Sequence, residues 1–325
     1  MTATSTPTPP TASRTPEHPA VQQAHRSSDY TLFWAIIAAC IGILAAPLLF
    51  TLWVISEARG TNSSLVDTGL PLVVALFFEN FDLVFIAFAA VFFVLVMIRM
   101  MRQMYLANAL HIEYSAHAWL REWANKVAKD LHMPSVEIMV TQDPIMNAFA
   151  FGFAKPYTIV LNSGTIRWTS DEQLKAIIVH EMAHIKYRHT QMGTYASFLR
   201  MLPIFGLLFS WMLDFWSRRC ELTCDRLALA YLGDKQKVRD ALVAIHIGPD
   251  MAPAFNDVAQ QWQVYNTENT FNRFTQTFSS HPFLARRLQQ LNEMEMRFFP
   301  PKSATKQPTI TMTEPATKER DGSDS

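Results

Sequence analysis

Several features common in proteins are scarce or missing here. Cysteine occurs three times in 325 residues. Cys40 stands alone, and Cys220 and Cys224 lie four apart on a predicted helix, so there is no even, spaced disulfide framework and the chain fits a reducing compartment. Net charge is absent as well: 28 basic residues balance 28 acidic ones, which argues against a nucleic-acid partner. Internal repeats are not apparent. Histidine is limited to ten residues, yet three of them fall within "HEMAHIKYRHT", residues 180 to 190.

What is plentiful is apolar surface, and it is segmental. Half of the residues are hydrophobic, more than a core of this size needs. Residues 31–55 run for 25 positions without a charge. As a helix they exceed the roughly 30 Å hydrocarbon thickness of a bilayer, and they are too long for a signal-peptide core of about 7–15 residues. A second span is expected near residues 70–98. Glu79, Asn80 and Asp82 within it are read as interface residues of a span starting near Asp82, with a functional intramembrane carboxylate as the alternative. Basic residues flank both outer ends, with only Arg59 in the loop between, so both ends are expected in the cytoplasm. The organisation expected is thus an unstructured proline-rich tail at 1–29, a transmembrane helical hairpin at 30–102, a folded domain at 103–300 and a polar tail at 301–325. The lipid bilayer is one expected partner.

Within 103–300 the pattern predicts a helix over Ser115–Leu131, then strands at Val136–Thr141, Ala148–Phe153 and Tyr157–Leu161. Ser170-Asp171-Glu172-Gln173 is a capping-box sequence that starts a helix ahead of the histidines. On that helix His180 and His184 lie on one face, able to aim two ring nitrogens at one Zn2+, with Glu181 beside them to take a proton from water. His189 is nine residues from His180, which on a continuing helix puts it half a turn away. The third ligand is therefore sought in "RRCELTCDRLALAYLG", residues 218–233, where Glu221 and Asp225 again lie four apart. Glu221 is the candidate ligand, and Asp225 is the carboxylate that fixes a ligating imidazole. Two readings compete: Cys224 as a rival ligand, and an exposed helix with Arg218, Glu221, Asp225 and Arg226 as intrahelical ion pairs.

His180-Glu181-x-x-His184, Glu221-x-x-x-Asp225, "NAFAFG" at 147–152 and "HPFLARRLQQL" at 281–291 together resemble the HtpX-like family of membrane zinc metallopeptidases, relatives of the CAAX prenyl endopeptidase. The resemblance covers about residues 103–295. It implies a mainly α gluzincin fold with a small antiparallel sheet, proteolysis of protein or peptide substrates including membrane or misfolded proteins, and an inner-membrane location with the site facing the cytoplasm. It also implies that Asn147, Ala148, Phe149 and Ala150 lie along the cleft, where an edge strand can pair with an extended substrate. His281 and Arg287 become candidate oxyanion donors by resemblance alone. Their ordinary alternatives are a helix start and solvated charges. A catalytically inactive membrane-anchored scaffold, and a sensor built on Glu79 and Asp82, are the other function classes.

One departure from the family is that residues 198–216 provide only one further apolar run. Arg200 and Asp214 enclose 13 uncharged residues, about 20 Å of helix and too short for a crossing. His184 and Glu221 must share one ion, so this run is expected to be an interfacial or re-entrant hairpin bent near Pro203 and Gly206. The other departure is 248–280, a long polar and aromatic stretch that could cover the cleft.

With Cys40, Cys220 and Cys224 replaced, single cysteines at Ser63, Gln191 and Ser217 test this topology with an impermeant thiol reagent. Ser63 alone should label in intact cells. Labelling of Gln191 and Ser217 from opposite sides would contradict the hairpin.

Overall fold

The computed structural model describes residues 19–59 and 81–300, apart from 152, 154, 202, 276, 278 and 280. The Glu79–Asn80 pair, the loop from residue 60, most of the N-terminal tail and the C-terminal tail lie outside the described residues.

"YTIVLN" is buried at nearly every position, the mark of a central strand, whereas "AFAF" is half-buried throughout, as at an edge. The sheet built from these runs follows the order β1 (Leu110–His111), β2 (Val136–Thr141), β4 (Tyr157–Asn162), β3 (Ala148–Phe151). β1–β2 and β3–β4 are antiparallel, but β2 and β4 are parallel, with Ile138 opposite Ile159. The expected antiparallel sheet is therefore mixed. The reason lies in the path of the chain: after β2 it passes beyond the place β4 will fill and makes β3 at the edge. A second reversal then returns it as β4 in the direction of β2.

Side chains of residues 162–165 fix that path by holding the main chain of the connecting loop. Thr165 Oγ1 accepts from Asn147 N at 2.8 Å, Asn162 Nδ2 donates to Ile145 O at 3.0 Å, and Ser163 Oγ donates to Asp143 O at 2.9 Å. Gly164 sits where any Cβ would collide with the Pro144 carbonyl.

The helices are α1 (Pro19–Ala24), α2 (Ser27–Arg59), α3 (Phe81–Leu106), α4 (Trp119–Asp130), α5 (Ser163–Trp168), α6 (Asp171–Lys186), α7 (His189–Met201), α8 (Pro203–Leu232), α9 (Lys235–Ile247), α10 (Asp257–Glu268), α11 (Thr270–Thr275) and α12 (Leu284–Phe298). The capping box forms as read: Gln173 N donates to Ser170 Oγ at 3.3 Å and Ser170 N donates to Gln173 Oε1 at 2.8 Å. Behind it α6 buries Leu174, Ile177, Ile178, Met182 and Ile185 in a core shared with β2, β4, α4, α8 and α12.

The N-terminal tail requires a correction. Pro19–Ala24 is helical and buries Ala20, Val21 and Ala24 in the main core, and α2 begins at Ser27. The proline-rich composition of 1–29 is an average that hides a short apolar stretch whose burial depends on a surface 200 residues away.

α7 and α8 pack against each other, and Arg200 of α7 pairs with Asp214 of α8 at 2.6 Å. Among the described residues no helix is long and apolar enough to cross a membrane. The side chains of 44, 47–49, 51–59, 81–84, 87, 90, 203–205, 207, 208 and 273 are not among those described. Those that are include Ile41, Ile43 and Phe50 on α2 and Phe85, Phe88, Phe92 and Phe93 on α3, all exposed.

Gly164→Ala should destabilise the fold by roughly 1–3 kcal/mol, since the loop carbonyl must move to admit the methyl group. The denaturation midpoint in detergent reads this, and an unchanged midpoint would show that the loop yields freely.

A candidate metal centre between two helices

α6 presents His180, Glu181 and His184 to a cleft of about 890 Å³, and α8 presents Glu221 and Asp225 to the same space. The Glu221 carboxylate stands between the imidazoles: Oε2 lies 3.3 Å from His180 Nε2, and Oε1 lies 3.5 Å from His184 Nε2. The other ring nitrogen of His180 is 3.0 Å from Asp225 Oδ1. Asp225 is fully buried, and it holds Arg287 of α12 through both oxygens, at 2.7 Å from Nε and 2.6 Å from Nη2. Arg287 Nη1 reaches Glu221 Oε2 at 3.3 Å. His281, just before α12, brings Nδ1 to 3.6 Å from Glu221 Oε1 while its side chain stays largely exposed.

These contacts set the charges. Burial opposes ionisation of Asp225, but the Arg287 guanidinium and the His180 contact outweigh it and hold the carboxyl at about 2. Burial likewise opposes charging His180, but Asp225 and Glu221 overcome it and raise the imidazole to about 10. Glu221, also buried, is kept well below the usual carboxylate range by His180, His184, His281 and Arg287. Glu181 goes the other way: burial pushes its carboxyl up, with only the charges of His184, His180 and Arg287 opposing.

The reading of His189 rested on a continuing helix, and the helix does not continue. α6 ends at Lys186, Arg188 takes a left-handed φ of 61°, and His189 opens α7 with its ring centroid 5.4 Å from that of His184. His189 Nδ1 lies 3.6 Å from Cys224 Sγ. Cys224 is close enough to His180 and His184 to form a possible three-ligand group with them. Burial pushes its thiol well up.

The opposite wall of the cleft is the edge strand β3, with Asn147, Ala148, Phe149 and Ala150 all lining it. His246 of α9 also lines the cleft, with Nδ1 2.8 Å from Leu242 O and Nε2 3.4 Å from Arg287 Nη1. Sequence reasoning missed it, because nothing in the spacing ties residue 246 to 287. Of the 248–280 segment, no described residue lines the cleft.

Among curated proteins, the chain is 29% identical over 187 residues to the plastoglobule-localized metallopeptidase 48, chloroplastic, of Arabidopsis thaliana, covering 52% of this chain and 54% of that protein. It is 23% identical over 217 residues to protease HtpX homolog 2 of Methanosarcina acetivorans, covering 54% and 72%. The chain thus spans about half the length of the first of these and nearly three quarters of the second. Among solved structures it resembles S. mikatae Ste24p at 15% identity, with a TM-score of 0.43, over 82% of this chain and 67% of that one. Residues 114–295, more than half of the chain and the whole of the centre described above, match peptidase family M48, and the chain belongs to that family.

Proposed function

We propose that this chain is a membrane-anchored zinc endopeptidase whose active site faces the cytoplasm. The observation that carries the reading is the spacing of the donors. Ligands about 2 Å from a tetrahedral zinc stand roughly 3.3 Å from one another. The 3.3 and 3.5 Å separations between Glu221 and the two imidazoles fit that spacing. His180, His184 and Glu221 would hold the ion, and Asp225 would fix the His180 ring by accepting from its second nitrogen.

Bound there, zinc supplies Lewis-acid polarisation of the scissile carbonyl. Glu181, whose carboxyl burial raises above its ordinary range, takes a proton from the attacking water and returns it to the leaving amine. Arg287 commits its donors to Asp225, Glu221 and His246, so its role is to hold the carboxylates in place. His281, exposed at the cleft beside Glu221, would donate to the oxyanion. The substrate lies extended along β3, pairing by main-chain hydrogen bonds past Asn147, Ala148, Phe149 and Ala150. α2 and α3, with their apolar exposed faces, are the two arms of the anchoring hairpin, and α7–α8 reaches the interface without crossing. Substrates are protein or peptide segments, including those of misfolded membrane proteins.

Glu181→Gln should keep one zinc per chain by elemental analysis while peptide turnover falls by about 10²–10⁴. Glu221→Ala should lose the metal. Near-wild-type turnover in the first variant would remove Glu181 from the mechanism, and full zinc occupancy in the second would transfer the ligand role to Cys224 or His189. Arg287→Met strands two buried carboxylates and should cost about 3–5 kcal/mol of stability in the metal-free protein, read by denaturant unfolding.

A further inference from the structure

α8 has two polar faces. At about 100° per residue, Glu221 and Asp225 point to one side, while Trp216, Arg219, Thr223 and Arg226 form a stripe roughly half a turn away. That rear stripe is occupied by the segment from α1 into the first turn of α2. Asp29 is only 2% exposed, and its carboxylate accepts from Arg219 Nε at 2.9 Å through Oδ1 and from Thr223 Oγ1 at 2.6 Å through Oδ2. Its main-chain carbonyl accepts from Trp216 Nε1 at 3.1 Å. Arg226, buried, donates to Ala24 O at 3.2 Å and to Thr223 Oγ1 at 2.7 Å. Below this lock Phe33, Ile36, Ile37 and Cys40 of α2 pack with Met192, Leu213 and Trp216.

An apolar contact alone would allow α8 to turn or slide against its neighbour with little change in buried area. A carboxylate held by a guanidinium and a hydroxyl on successive turns is directional, and it defines both the rotation and the register of the helix. The quantity so defined is the placement of Glu221 and Asp225 against the histidines of α6, where separations of 3.0–3.5 Å leave little tolerance. We infer that Asp29 is a positioning residue for the metal centre: from the first turn of α2 it fixes the rotation of α8, and through it the geometry of Glu221 and Asp225. The first apolar helix is then part of the catalytic frame as well as an anchor. This inference rests on the zinc-peptidase reading above.

The test uses the full chain in detergent at a temperature well below its melting point, with zinc loss to a chelator and peptide hydrolysis measured on the monodisperse folded fraction. Asp29→Ala should release zinc about tenfold faster and lower kcat about tenfold with KM unchanged, as loss of an outer support of a metal site does. Asp29→Asn, which keeps an acceptor for Thr223, should recover part of both. Thr223→Val, which removes the hydroxyl between Asp29 and Arg226 without changing volume, should fall on the same side as Asp29→Ala, and it carries the test with Asp29→Asn if the alanine variant does not fold. Folded variants with wild-type zinc release and wild-type kcat, even at a lowered melting point, would make Asp29 a stability residue only and overturn the inference. Wild type that binds no zinc and cleaves no peptide would instead overturn the zinc-peptidase reading, and this inference with it.

Discussion

A guanidinium locked to a buried carboxylate organises this molecule. Asp225 is fully enclosed, and in the interior its charge is tolerable only because Arg287 meets both of its oxygens. The same guanidinium leans on Glu221, and the same carboxylate meets His180. Two buried carboxylates and one guanidinium leave an excess of one negative charge at the centre of the cleft, which calls for a cation. The same excess raises the His180 imidazole against the cost of burial. On the proposed reading His180 would hold the metal, and the ion would meet the same electrostatic need. The negative charge of the cleft is thus set by several residues together.

The surrounding architecture keeps those charges in register. α6 is fixed at its start by the Ser170 box and at its end by the left-handed turn at Arg188. α8 is held from behind by the Asp29 lock and from the side by Gln290, which donates to Leu222 O at 2.7 Å. The sheet supplies the other wall, and the ties from Asn147 to Thr165 and from Asn162 to Ile145 keep its edge strand facing the helices.

Features carried by short-range spacing were legible in the sequence. His180 and His184, and Glu221 and Asp225, each lie one helical turn apart, and Ser170 with Gln173 marks where the first of those helices begins. The strand runs at Val136–Thr141 and Tyr157–Leu161 could be read from their β-branched content. What could not be read depends on contacts distant in sequence. The direction of β2 against β4 follows from where β3 is inserted, and no residue in β2 encodes that. The helix break that brings His189 beside His184 occurs at Tyr187-Arg188, where neither residue is a usual breaker. Asp29 looked like the last residue of a polar tail, because its partners Arg219 and Thr223 lie 190 and 194 residues downstream.

β3 has a partner on one side only among the described residues. Its alanines turn toward the core, while Phe149 and Phe151 pack against Tyr105 at the end of α3. An edge that binds through main-chain groups recognises extension more than sequence, so a folded target must first open before it can lie there. When opening and closing are fast relative to cleavage, the rate follows the open population, which drops about tenfold for each 1.4 kcal/mol of local stability. On the proposed reading of β3 as the substrate strand, a segment needing about 4 kcal/mol to open would be cut roughly a thousandfold more slowly than one already extended. Selectivity on that reading would be thermodynamic: the strand would gauge how far a target has lost its structure, and a well-folded neighbour within reach of the same cleft would be spared by its own stability.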